Sequence, residues 1–114
     1  GENLFLINQN TLVTPPVSDN NLTGITRDSA IKIAKEELGL QILERRIRRS
    51  ELYFADEVFL TGTAAHIQSV GQLDNRDIGD GLPGKISTQI NEVYQSAIRG
   101  NNSKYRNWCT EIEV

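Results

Sequence analysis

The stretch LFLINQNTLVTPP, residues 4–16, determines how the chain begins to fold. Two apolar segments, residues 4–7 and 11–14, flank the connection NQN at 8–10, a pattern typical of a β-hairpin. Two prolines follow at once, and neither can donate a backbone hydrogen bond to a neighbouring strand. We therefore predict two paired strands that end at the Pro-Pro pair.

Outward from this hairpin, helices and strands are predicted to alternate. Apolar residues recur at helical spacing after Thr26 and again after Pro83, which is expected to start the last helix. Ser50 is expected to cap a short helical turn. The predicted elements are helices at 28–38, 50–55 and 86–97, strands at 41–47 and 57–61, and a second hairpin of 66–73 with 76–78. We therefore predict an α/β fold with a mixed sheet, hairpins and packed helices, because hairpins exclude a purely parallel sheet.

Composition limits the function classes. The 114 residues suffice for a single domain, 1–114, and 38% hydrophobic with 24% charged residues suits a globular protein. Lys and Arg number 12 against 15 Asp and Glu, a net charge of -3, so no basic surplus favours nucleic acid or anionic membranes as partners. The longest strongly apolar run, residues 4–7, is far shorter than the ~20 residues that span a bilayer.

The chain has few residues of the types that form disulfides or bind transition metals. Cys109 and His66 are the one cysteine and the one histidine, so we predict neither a disulfide nor a metal site, and expect both side chains to be structural. Methionine is absent, and the chain opens with Gly1-Glu2-Asn3. We therefore expect this chain to be a piece of a longer protein.

The segment LTGITRD, residues 22–28, has the character of an anion site. Gly24 lets the backbone approach a ligand, and the following residues are expected to form a first helical turn, whose unpaired N–H groups attract an anion. The Thr26 hydroxyl adds a donor. The alternative is structural: Gly24 is a turn residue and Thr26 an N-cap.

The segment TGTAA, residues 61–65, is the second candidate anion site. Small residues after an apolar strand expose N–H groups at a strand end, which is where α/β proteins bind ligands. With the Thr63 hydroxyl, these groups can hold a phosphate or a carboxylate. The alternative is a tight turn against a helix. The arginine-rich run 45–49 has acidic neighbours, Glu44 and Glu51, and is interpreted as a solvated surface.

Several short motifs occur in one order, and together they resemble a known family. They are GENLF, TPP, GITRD, ADEVFLTGTAA and KYRNW, at residues 1–5, 14–16, 24–28, 55–65 and 104–108. In series they resemble the C-terminal part of a branched-chain amino acid aminotransferase, a class-IV, fold-type IV enzyme that uses pyridoxal 5′-phosphate (PLP). The resemblance covers essentially the whole chain. It implies the large, pseudo-barrel domain of a D-amino acid aminotransferase-like fold.

The resemblance also implies cofactor contacts. In the family, the positions of Gly24, Ile25 and Thr26 bind the cofactor phosphate through backbone N–H groups and the threonine hydroxyl. The position of Leu22 packs against the pyridine ring.

The resemblance also implies that the TGTAA segment, residues 61–65, contributes to the cofactor and substrate site. Gly62 and Thr63 add a phosphate contact, and the backbone at Thr63 and Ala64 faces the substrate carboxylate. The Schiff-base lysine of the family lies upstream of the GENLF motif, as does the acidic residue that pairs with the pyridine nitrogen. No catalytic residue is therefore expected in this chain. The lysines that fail to match the catalytic position are Lys32, Lys35, Lys85 and Lys104.

The implied activity is transfer of an amino group between leucine, isoleucine or valine and 2-oxoglutarate. The partners are then a small amino acid and a 2-oxo acid, in a cytoplasmic enzyme that forms a homodimer or a higher homo-oligomer. The chain alone is expected to be inactive. The KYRNW motif favours the branched-chain members. The alternatives are a D-amino acid aminotransferase or aminodeoxychorismate lyase fragment, a non-catalytic anion-binding module, and a purely structural fragment.

Overall fold

The computed structural model describes residues 3–16, 24–62 and 67–99. Strands and helices alternate along these ranges, as predicted for an α/β chain. The elements are β1 (Asn3–Asn8), β2 (Thr11–Thr14), α1 (Gly24–Glu36), β3 (Gln41–Glu44), α2 (Arg49–Tyr53), β4 (Glu57–Thr61), β5 (Ile67–Ser69), β6 (Gln72–Leu73), β7 (Arg76–Asp77) and α3 (Lys85–Ile98). No helix in the described ranges is both long enough and apolar enough to cross a membrane.

A five-stranded mixed sheet, in the order β3-β2-β1-β4-β5, forms the centre of the fold. Strand β1 is antiparallel to both β2 and β4, so β2 and β4 run in the same direction. Strand β3 pairs in parallel with β2, and β5 pairs antiparallel with β4. The predicted mixed sheet is therefore confirmed.

Both predicted hairpin turns are present. Gln9 and Asn10 connect β1 to β2 with φ angles of 50° and 67°, and Asp74 and Asn75 connect β6 to β7 with 53° and 65°. Two successive left-handed residues define the turn that matches the twist of paired strands, and Asn and Asp tolerate this conformation better than most residues. The first hairpin ends before Pro15, as predicted.

The predicted strand at 66–73 is divided in the structure. Its first part, β5, pairs with β4 in the main sheet, whereas β6 pairs with β7 in a separate two-stranded sheet. Gly71 lies between the two sheets, and a Cβ added there would lie 2.5 Å from the Gly81 carbonyl oxygen. This close approach admits only glycine, and the continuous strand prediction was wrong at this point.

Helix α1 connects the parallel strands β2 and β3 and therefore runs opposite to them. It begins at Gly24, four residues before the predicted start at Asp28, and ends at Glu36 instead of residue 38. Gly39 follows with φ 66°, and the Leu40 N–H donates to the Ala34 carbonyl at 3.0 Å, which closes the helix end.

Three further boundaries differ from the predictions. Strand β3 ends at Glu44, before the arginine-rich run. Helix α2 is capped by Arg48, whose N–H donates to the Glu51 carboxylate at 2.7 Å, so the predicted cap at Ser50 was wrong. Helix α3 has Gly84 as its N-cap, and Pro83 precedes it.

The sheet separates two apolar clusters. On one face α1 and α3 cover the sheet, and Phe5 and Phe59 stack there with ring centroids 4.8 Å apart. The buried residues of this helix-covered face are Phe5, Ile7, Leu12, Ala30, Ile33, Ala34, Leu40, Phe59, Ile67, Ile90, Tyr94 and Ala97. The opposite face buries Leu6, Val13, Leu52, Ala55, Val58 and Ile78.

Candidate functional site

The candidate site lies at one edge of the main sheet. Strands β2, β3 and β4 end there, at Thr14, Glu44 and Thr61, and we call this the carboxyl edge. Strand β1 begins there, because its first residue, Asn3, pairs with Thr61. Since α1 runs opposite to β2 and β3, its N-terminus lies at the same edge. The described parts of the two predicted anion segments, residues 24–28 and 61–62, therefore lie where α/β proteins bind ligands.

Thr26 lies inside the first turn of α1 and not at its N-cap. The helix begins two residues earlier, at Gly24, so the structural alternative of Thr26 as an N-cap is overturned. Thr26 is 9% exposed, and its Oγ1 lies 3.1 Å from the Tyr94 hydroxyl on α3. The turn thus carries a hydroxyl that is held by a neighbouring helix.

Arg27 fixes this first turn to the sheet. Its side chain is 5% exposed, and Nη2 donates to Glu44 at 2.9 Å and to the Pro15 carbonyl at 3.3 Å. Nη1 lies 3.5 Å from Asp28. The hydrogen bonds of the Arg27 guanidinium therefore connect the start of α1 to the ends of β2 and β3.

Neither long helix has an acidic residue in its own first turn, but a carboxylate from β4 lies at the start of α3. The start of α3 is occupied by the chain's own carboxylate: the N–H groups of Ile86 and Ser87 donate to Glu57 at 2.9 and 2.8 Å, and the Ser87 hydroxyl donates to it at 2.7 Å. The first turn of α1 contains no acidic residue. An anion at the start of α1 therefore meets a favourable helix dipole without a competing side chain from that turn.

The end of β4 carries a buried hydroxyl. Thr61 is 1% exposed and, because side chains alternate along a strand, it points to the same helix-covered face as Phe59. Its Oγ1 has no hydrogen-bond partner among the described residues. Gly62 follows it and is half-buried.

Several predicted site residues lie outside the described residues. These are Leu22, Thr63, Ala64, His66 and Cys109, and the side chain of Ile25 is not described either. Gly24, Thr26 and Gly62 are described, and the structure places all three at the carboxyl edge. The roles assigned to these residues stay predictions.

The described lysines are distant from this edge. Lys32 and Lys35 lie in the second half of α1, and Lys85 begins α3 beside Glu57, where β4 starts. All three are exposed. Within the ranges that the structure describes, no cluster of acidic, histidine and cysteine side chains could hold a metal ion.

The arginine-rich run lies on the solvated surface, as interpreted from the sequence, and the structure adds ion pairs to it. Arg45 pairs with Glu51 at 2.8 Å, and Arg49 pairs with Asp74. The hydrogen bond from Arg45 lowers the pKa of Glu51, and hydrogen bonds from Tyr53 and Arg49 lower the pKa of Asp74. These exposed pairs lie on the face of the sheet opposite α1 and α3.

Sequence reasoning missed the partners of the first turn. Tyr94 lies within the helical spacing of apolar residues predicted after Pro83, and that spacing does not indicate a contact between its hydroxyl and Thr26. Arg27 and Glu44 were separate motifs. A polar atom in an otherwise apolar helical stripe was the available signal for Tyr94, because a buried tyrosine hydroxyl normally has a partner.

A hydroxyl-bearing helix start at the carboxyl edge of a mixed sheet is an arrangement suited to a phosphorylated ligand. A sequence model of the family described as amino-transferase class IV matches residues 1–73. The chain therefore belongs to the class-IV aminotransferases.

Within this class, the chain is similar to branched-chain enzymes. It is 47% identical over 112 residues to the probable branched-chain-amino-acid aminotransferase of Aquifex aeolicus, and 39% identical over 112 residues to the branched-chain-amino-acid aminotransferase of Escherichia coli K12. Each match covers 98% of this chain and 36% of the relative. The chain thus spans about a third of the length of these relatives.

Solved structures agree with this similarity. The T.th. branched-chain amino acid aminotransferase in complex with N-(5′-phosphopyridoxyl)-L-glutamate matches with a TM-score of 0.86 and 42% identity, over 95% of this chain and 36% of that one. The PLP form of the Thermobaculum terrenum enzyme matches with a TM-score of 0.85 and 39% identity, over 95% of this chain and 35% of that one. The predicted fold class is thereby confirmed.

Proposed function

We propose that this chain is part of a PLP-dependent transaminase that exchanges an amino group between branched-chain amino acids and 2-oxoglutarate. The observation that carries the proposal is the position of Thr26 in a helix start without acidic residues at the carboxyl edge. The class-IV family and the branched-chain relatives support the reaction type.

The residues at the carboxyl edge fit a phosphorylated cofactor. Backbone N–H groups at Gly24 and Ile25 and the Thr26 hydroxyl would supply donors to a phosphate, and we propose that Leu22, which lies outside the described residues, would pack against the pyridine ring. Gly62 and Thr63 supply the second phosphate contact. PLP, when bound, supplies the electron sink of the reaction, and this chain supplies binding and orientation.

Substrate binding is proposed at the end of β4. The N–H groups at Thr63 and Ala64 would hold the substrate carboxylate. Two solved complexes of the T.th. enzyme support the substrate pair: one contains a phosphopyridoxyl adduct of glutamate, and another contains 4-methylvaleric acid, a branched-chain acid. Glutamate is the amino acid that forms from 2-oxoglutarate.

The remaining machinery is proposed to lie upstream of this chain. We infer that residues 1–114 form part of the C-terminal large domain, and that the Schiff-base lysine and the acid that meets the pyridine nitrogen precede the GENLF motif. None of the described lysines lies at the carboxyl edge, which supports this inference. The complete enzyme is proposed to be a cytoplasmic homodimer or higher oligomer, and this chain alone to be inactive.

The test compares the complete protein with this chain. The complete protein is expected to convert leucine, isoleucine and valine in the presence of 2-oxoglutarate, whereas this chain gives no turnover. Thr26→Ala is expected to weaken PLP binding by about 1 kcal/mol, the net contribution of one hydrogen bond, or roughly fivefold in the dissociation constant. Thr26→Ser, which keeps the hydroxyl, is the matched control.

Three outcomes contradict the proposal. Turnover of D-amino acids alone, or of aminodeoxychorismate, assigns the chain to another class-IV enzyme. PLP binding by the complete protein without any turnover makes it a non-catalytic module. Equal PLP affinity for the wild type and Thr26→Ala removes Thr26 from the phosphate site.

A further inference from the structure

Tyr94 is buried beneath the proposed phosphate site. It lies on α3, is 0% exposed, and forms part of the apolar cluster of the helix-covered face. Its hydroxyl lies 3.1 Å from Thr26 Oγ1, and Thr26 is its partner among the described residues. A buried tyrosine hydroxyl without a partner is costly, so this contact stabilises the hydroxyl at its position beside Thr26.

The direction of this hydrogen bond determines what Thr26 can offer a ligand. A threonine hydroxyl has one proton and two lone pairs. If Thr26 donates to Tyr94, it presents only lone pairs to its other neighbours, and these repel phosphate oxygens. If Tyr94 donates to Thr26, the single Thr26 proton remains available for a phosphate oxygen. A phenol is also the more acidic of the two hydroxyls, which favours it as the donor.

We propose that Tyr94 is a positioning residue for phosphate binding: it donates to Thr26 Oγ1 and thereby directs the Thr26 proton toward the cofactor phosphate. This inference rests on the proposed function of the Thr26 site. It adds α3 to the set of elements that form that site, although Tyr94 itself does not touch the ligand.

A double-mutant cycle in the complete protein tests the inference. The wild type, Tyr94→Phe, Thr26→Ala and the double variant are titrated with PLP and, separately, with inorganic phosphate. Tyr94→Phe is expected to raise the dissociation constants of both ligands by about threefold to tenfold, the range for loss of one hydrogen bond. In the Thr26→Ala background the same substitution is expected to change neither affinity, because the hydroxyl it positions is gone.

Tyr53→Phe is the matched control. This substitution also removes one phenol oxygen, but the Tyr53 hydroxyl donates to Asp74 on the opposite face of the sheet. Ligand affinity is therefore expected to stay at the wild-type value. Melting temperatures without ligand are measured for all variants, so that a loss of stability is separated from a loss of affinity.

The outcomes distinguish this inference from the proposed function. If Thr26→Ala weakens binding and Tyr94→Phe does not, or if Tyr94→Phe acts equally in both backgrounds, the positioning role is wrong and the phosphate site stands. If the wild type binds neither probe, both are wrong.

A second variant covers the case in which Tyr94→Phe does not fold. 3-Fluorotyrosine at position 94 keeps the ring shape and makes the phenol a stronger donor. It is expected to raise the PLP affinity, and a lowered affinity would contradict the proposed direction of donation.

Discussion

At the scale of single residues, Arg27 contributes more to the stability of the start of α1 than its ion pairs alone indicate. Its guanidinium is almost fully buried and bonds both Glu44 and a carbonyl oxygen, whereas the Glu44 side chain is 52% exposed. Substitution of Arg27 and substitution of Glu44 are therefore expected to reduce the free energy of unfolding by different amounts. Removal of Arg27 breaks two bonds and removes buried packing, but Glu44 can be solvated again.

This asymmetry gives a prediction. Arg27→Ala is expected to lower the free energy of unfolding by about 1–3 kcal/mol, the range for a broken buried network. Glu44→Gln is expected to lower it less, by about 1 kcal/mol, because the glutamine oxygen can still accept a hydrogen bond from the buried guanidinium. Urea unfolding of the complete protein measures both values.

Arg45→Ala serves as the control, because Arg45 also pairs with a glutamate but is exposed; we expect no measurable change for it. A larger loss for Glu44→Gln than for Arg27→Ala would contradict the assignment.

The residues of the site were predictable only where their role is local. Thr26 was found because a glycine and a hydroxyl at a helix start have a recognisable chemistry within a few positions. Tyr94 is 68 positions from Thr26, and no local pattern relates the two. The same holds for Arg27 and Glu44, 17 positions apart, because their contact depends on the crossover between two parallel strands.

At the scale of elements, the start of α3 depends on Glu57. This carboxylate accepts two backbone N–H groups and one hydroxyl, and thereby connects α3 to the beginning of β4. Gly84 makes the approach possible, because an added Cβ there would lie 1.9 Å from Glu57 Oε1. The capping of α3 by Glu57 therefore requires glycine at position 84.

Glu57→Gln is expected to reduce stability by about 1–2 kcal/mol, because the neutral amide loses both the charge-assisted bonds and the favourable interaction with the helix dipole. Urea unfolding of the complete protein tests this value. Glu92→Gln, an exposed change in the middle of the same helix, is the control and should leave stability unchanged. If both variants unfold at the same urea concentration, the cap is not stabilising.

Element boundaries were predictable where the sequence has strong turn residues. The Gln9-Asn10 and Asp74-Asn75 residues correctly predicted the turns of both hairpins. The start of α1 was missed because Gly24 and Thr26 resemble residues that precede a helix, whereas in the structure both lie within α1 and Thr26 contacts Tyr94 of α3. The break between β5 and β6 was missed because it depends on a distant carbonyl at Gly81, which nothing near Gly71 indicates.

At the scale of the whole molecule, exposed ion pairs join elements that are distant in sequence. Asp74, in the turn of the second hairpin, accepts hydrogen bonds from Arg49 and Tyr53 of α2. The guanidinium of Arg76 lies 4.8 Å from the centre of the Tyr53 ring. Hydrogen bonding lowers the pKa of Asp74 below its ordinary value of 3.8 in the folded protein.

A pH dependence follows from this lowered pKa. The stabilisation by Asp74 is complete above the ordinary value of 3.8 and is lost as the pH falls through the lower value of the folded state. Asp74→Asn is therefore expected to melt below the wild type near neutral pH, and the difference should disappear at strongly acidic pH.

Thermal unfolding over a pH series measures this difference, with Asp80→Asn as a control on the same side of the molecule. A difference in melting temperature that grows as the pH falls would contradict the assignment.

The edge position of β3 has a consequence for self-association. In the described sheet β3 pairs with β2 on one side only, and its Leu43 side chain is 44% exposed. An open strand with an apolar side chain can template addition of a strand from another copy, the first step toward fibrils. Here the strand is four residues long, and Arg45 and Arg46 follow it directly. In a parallel, in-register stack each arginine would lie next to its own copy, so the arginine-rich run disfavours polymerisation in that arrangement.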